Sequence, residues 1–110
     1  YGAPLDVPIV VSGVAQGTID TVSIGFSANH SFVGDLEVTL ISPYGQEHLL
    51  FARTGATDAN GGSSANLVAA NVYSFVDTSA TNWWTAAVIG DVNIPSSSVR
   101  TVVTGGPGVT

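Results

Sequence analysis

The stretch Leu36-Glu37-Val38-Thr39-Leu40-Ile41-Ser42-Pro43-Tyr44-Gly45-Gln46-Glu47-His48-Leu49-Leu50-Phe51-Ala52 has the pattern of a β-hairpin. Leu36, Val38 and Leu40 alternate with Glu37 and Thr39, a period of two that sends the apolar side chains to one face of a half-buried strand. Ser42-Pro43-Tyr44-Gly45 places Pro second and Gly fourth, as a tight turn prefers. Glu47–Ala52 then returns as the second strand.

Outward from the hairpin, the same signals recur. Val22, Ile24 and Phe26 alternate with Ser23, Gly25 and Ser27, a second half-buried strand. Val7–Val11 is an apolar run bounded by Gly13. It reads as a first or edge strand, with Pro8 near its start where a missing N–H is tolerated. Val72–Val76 and Ser98–Val103 read as further strands, and Ser79–Val88 fits a strand or a short helical turn. Thr54–Asn66 has the Gly, Ser and Asn content of a long loop, and loops of that length usually carry function. The tail Gly105-Gly106-Pro107-Gly108 has linker composition. No internal repeat and no long amphipathic helix is apparent. With 110 residues, 45% hydrophobic and 9% charged, the chain is expected to be one globular all-β domain.

Charge narrows the chemistry. Eight acidic residues face two basic ones, Arg53 and Arg100, giving a net charge of -6. Such a chain cannot neutralise a row of phosphates, which argues against nucleic acid, and it gains nothing from an anionic membrane surface. It does suit divalent cations, whose hard ligands are carboxylates and carbonyls. No Cys is present, so a disulfide, a thiolate zinc site and a thiol nucleophile are all excluded. No apolar run reaches the 18 residues of a membrane-spanning helix. The chain starts at Tyr1 with no signal peptide in view, as a processed or cut N-terminus would.

The sixteen residues from His30 to Gly45, His-Ser-Phe-Val-Gly-Asp-Leu-Glu-Val-Thr-Leu-Ile-Ser-Pro-Tyr-Gly, resemble the most recognisable stretch of the P domain of proprotein convertases and bacterial secreted subtilisin-like proteases. That family shows a His, a Gly-Asp-Leu and an alternating strand ending in Ser-Pro-x-Gly. Arg53-Thr54-Gly55, the Gly/Asn-rich loop and Phe75-Val76-Asp77-Thr78-Ser79-Ala80 are also similar to it, so the resemblance spans roughly residues 8–80. The family then continues through a Gly-x-Trp-x-Leu strand to a last strand. Asn82-Trp83-Trp84-Thr85-Ala86 echoes that only loosely, so the last strands look absent. The resemblance implies a jelly-roll-like antiparallel β-sandwich, non-catalytic, often with calcium bound, that stabilises an adjoining protease.

On that footing Asp35 is the leading calcium ligand, against the alternative that it caps backbone N–H groups of its turn. Asp58 and Asn60 in the loop and Asp77 after a strand are further candidates, with Asn66 and Asp91 behind them. The spacing is not that of an EF-hand. His30 and His48 are expected to be structural. No Gly-x-Ser-x-Gly elbow supports a serine hydrolase. Asp35 and Glu37, two apart on one strand, do not straddle a sugar as a glycosidase pair must. Trp83 and Trp84, with Tyr44 and Tyr73, pose an aromatic platform for carbohydrate, although neighbours on a strand face opposite ways and one Trp should be core. Asn29-His30-Ser31 matches a glycosylation sequon and is taken as coincidence.

The expected function is a calcium-stabilised, non-enzymatic accessory module of a secreted or extracellular protein. Its partner would be a neighbouring protease domain or another protein chain, without nucleic acid or membrane insertion. Two alternatives stand beside it. One is a subunit of an extracellular filament or surface assembly, self-associating by strand exchange to complete the sandwich. The other is a carbohydrate-binding module.

Overall fold

A computed structural model describes residues 2–15, 17, 19–57 and 61–102. The fold is all-β, with five strands in two sheets among the described residues. Strand β1 is Ser23–Phe26, β2 Glu37–Ile41, β3 Glu47–Ala52, β4 Tyr73–Val76 and β5 Ser97–Val99. One sheet has the order β1-β4-β5 and the other pairs β2 with β3.

The hairpin forms where its pattern places it. Gly45 N–H donates to the Ser42 carbonyl at 2.9 Å, and Gly45 takes φ 80, a conformation that glycine adopts without a Cβ penalty. The Ser42 side chain accepts from Gln46 N–H at 3.0 Å and helps close the turn. Between Val38 and Thr39 the register slips, a bulge that bends the pair.

The second sheet departs from the expectation of antiparallel pairing throughout. β1 runs antiparallel to β4, but β4 and β5 are parallel, Tyr73 opposite Ser97 and Phe75 opposite Val99. A parallel pair needs a crossover. Here the crossover carries the helix α1, Trp83–Ala87. Asn82 caps it, its side-chain oxygen accepting from Thr85 N–H at 2.9 Å, as N-cap residues do. The segment that fitted a strand or a helical turn is therefore helical.

Two other expectations change. Val7–Val11 makes no strand and stands in solvent, with Val10 91% exposed. An apolar run becomes a strand only beside a partner, and none of the described strands pairs with it. The last expected strand is shorter, Ser97–Val99, and Val103 and the Gly105–Gly108 tail lie outside the described residues. After β5 the chain returns to β3, where Val102 N–H donates to the Leu50 carbonyl at 3.2 Å.

The core joins the sheets through aromatic rings. Phe51 of β3 and Tyr73 and Phe75 of β4 meet Trp83 of α1, and Phe26 of β1 packs against the same three rings of the strands. Trp83 stacks on Phe51 at 4.7 Å and meets Tyr73 edge-on at 5.9 Å. Its indole N–H donates to Thr54 Oγ1 at 2.8 Å, so the one polar atom of a fully buried ring is satisfied. Tyr73 likewise donates from its hydroxyl to the Ile94 carbonyl and accepts from Val68 N–H.

Candidate functional site

The family-like segment builds a tight corner. Phe32, at φ 64, turns the backbone into a short 3-10 turn, Val33–Asp35, where Asp35 N–H donates to the Phe32 carbonyl and Leu36 N–H to that of Val33. Asp35 thus sits in a turn ahead of β2, whereas Glu37 begins the strand. The two carboxylates do not share a strand face as their spacing suggests.

The loop after β3 is clamped onto this corner. Val33 N–H donates to the Ala65 carbonyl at 2.8 Å and Gly34 N–H to that of Ser63 at 3.0 Å. A Cβ on Gly34 would lie 2.7 Å from both Gly62 Cα and Ser63 N. Gly34 is glycine for this close approach, while the unusual φ falls on Phe32. Arg53, at φ 43, donates from Nη2 to the Gly61 carbonyl at 3.1 Å and holds the near side of the loop. Ser63, buried, donates to the Ala87 carbonyl at 2.6 Å and accepts from Ala65 N–H at 3.2 Å, tying the loop to α1. Ser63→Ala leaves that carbonyl and that amide buried without their partner, a cost of about 1–3 kcal/mol. Urea unfolding measures it, and a midpoint equal to wild type would count against this role.

Asp35 and Asp77 are both exposed, Asp77 just past the end of β4. Asp58 and Asn60 lie outside the described residues. Asn66 Nδ2 approaches Asp91 Oδ1 at 3.4 Å, on the side of the loop that pairs with residues 92–94. Among the described residues no three His, Asp or Glu side chains gather as a metal cage would. A calcium ion held at Asp35 could take backbone carbonyls and water beside any side chain of the loop, oxygen donors that this hard cation accepts.

The other candidates separate. Trp83 has no exposed surface, which removes it from any carbohydrate platform and corrects that expectation for this residue. Trp84 is half-buried against the core with its Nε1 lacking a partner, and Tyr73 is buried, so Tyr44 stands alone at the hairpin tip. The helix is the reason, because neighbours on it diverge by about 100°, where a strand would have opposed them. His48 is exposed on β3. The His30 backbone pairs with Leu67, and its Nδ1 has no hydrogen-bond partner. Nothing in the pattern of the sequence pointed to Ser63, Arg53 or Gly62 as the residues that shape the corner.

A family model described as the proprotein convertase P-domain matches residues 19–95, more than half of the chain. The chain belongs to the proprotein convertase P-domain family. No curated protein and no solved structure matches it. The matched span of this P domain runs from ahead of β1 to just before β5 and includes the clamped corner. No helix among the described residues of the P domain is long and apolar enough to cross a membrane.

Proposed function

We propose that this P domain is a non-catalytic, calcium-stabilised accessory module of a secreted protein, where it stabilises an adjoining subtilisin-like protease domain. The observation that carries the reading is the family match over residues 19–95. The corner at Asp35 supports the metal part. A carboxylate stands exposed at a turn whose backbone is pinned on both sides, in a chain of net charge -6. Asp77, and Asp58 and Asn60 of the loop, are the other ligands put forward.

Calcium that binds the folded state alone stabilises it by about 2.7 kcal/mol at a hundredfold excess over Kd. For a domain of this size that raises Tm by several degrees or more. Thermal unfolding with calcium and again with a chelator measures the shift, and Asp35→Asn should abolish most of it. Equal Tm values in the two conditions would remove calcium from the proposal. The accessory role is tested separately. A protease domain carried on the same polypeptide should lose active-site titre faster once this module is deleted, and an unchanged half-life would defeat that part.

A further inference from the structure

Large hydrophobic side chains left in solvent gather at one place. Of the fifteen among the described residues, seven line a single open cleft, among them Leu5, Val7 and Ile9 from the segment ahead of β1 and Ile41 from the end of β2. β1 and β2 wall this cleft, and their Ile24, Phe26, Val38 and Leu40 are only partly buried. Contiguous apolar surface of this kind, bordered by polar residues, marks a place where a protein meets another. The charges beside it are uneven in sign. Asp6, Asp35, Glu37 and Asp77, half of the chain's eight acidic residues, line the cleft and are exposed, against Arg53 as the one arginine there.

We propose that this cleft is the surface on which the module docks its protease domain, and that the protease presents to it an apolar patch flanked by Arg and Lys. The inference rests on the accessory reading above and adds where the contact is made and what chemistry the partner brings. An apolar centre with charged residues at the margin is the usual anatomy of a protein interface. Opposite charges at that margin steer the approach and fix the orientation, whereas like charges are repelled. The sign of the margin selects the occupant. A second copy would bring the same net charge of -6 and the same acidic margin, and an anionic lipid surface is repelled for the same reason. The segment ahead of β1 does not fill the cleft itself, because Val7 and Ile9 stay 71% and 64% exposed beside it.

The polypeptide that joins module and protease tests this, in calcium, through the half-life of its active-site titre. Glu37→Lys, at the cleft, is expected to shorten that half-life about threefold in low salt, with the difference shrinking in high salt as the charges are screened. Glu47→Lys makes the same change on the same hairpin but away from the cleft, and it should match wild type. Ile9→Asn removes apolar contact without altering charge and should shorten the half-life about twofold or more at either salt. If deleting the module shortens the half-life while Glu37→Lys and Ile9→Asn do not, the accessory role stands and the cleft is overturned as its surface. Equal losses in Glu37→Lys and Glu47→Lys would also overturn it, since the effect would then belong to net charge. If deletion itself changes nothing, the accessory role fails and the docking surface fails with it.

Discussion

Trp83→Ala is expected to cost about 3–5 kcal/mol of folding stability. The ring is fully buried and contacts Phe51, Tyr73 and Phe75, so its removal opens a cavity where the two sheets meet the crossover helix. It also strands Thr54, a buried hydroxyl whose bond to the indole N–H is lost. Since domains are stable by only about 5–15 kcal/mol, the variant should be largely unfolded in modest urea. Trp84→Ala is the matched control, because that ring is half-buried and its Nε1 has no bond to lose. Urea unfolding followed by circular dichroism compares the two. Equal losses would show that the core is not centred on Trp83.

Gly34→Ala is expected to cost about 1–3 kcal/mol, or more if the backbone cannot move. The added carbon would sit 2.7 Å from Gly62 Cα and Ser63 N and 2.8 Å from Gly62 C. All three are main-chain atoms, so no side chain can swing away. The loop must lift, and the Gly34–Ser63 bond and the Ser63 tie to α1 lift with it. Gly62→Ala meets the same obstacle from the other side, at 2.8 Å from Gly34 Cα. Denaturation midpoints of both variants check this. A Gly34→Ala protein within about 0.5 kcal/mol of wild type, the range of an ordinary surface change, would mean the corner is looser than its geometry shows.

Local periodicity made much of this fold legible. Leu36–Leu40 alternates, and turn residues at fixed offsets lead into a second apolar run ending at Ala52, so both strands and the turn could be read directly. Ile24–Phe26 and Tyr73–Val76 follow the same rule. What failed depends on partners distant in sequence. Val7–Val11 is as apolar as a strand, but a strand is a property of two segments. The parallel pairing of β4 with β5 is written in no single window, and Trp83-Trp84 does not reveal whether a helix or a strand carries it. At the candidate site the motif put Asp35 at a turn beside a glycine. That Gly34 answers to Gly62, and Ser63 to Ala87, depends on segments that only the folded chain brings together.

The glycine pair also limits how this corner can evolve. When two large side chains compete for space, a lineage that enlarges one can later shrink the other and recover. Gly34 and Gly62 admit no such exchange, because each faces the other with no side chain to give up. A mutation at either position has no compensating substitution at its partner, and only a rearranged backbone offers relief. The spacing between turn and loop is therefore inherited as a unit, and any descendant that alters it must reshape the Asp35 corner as well.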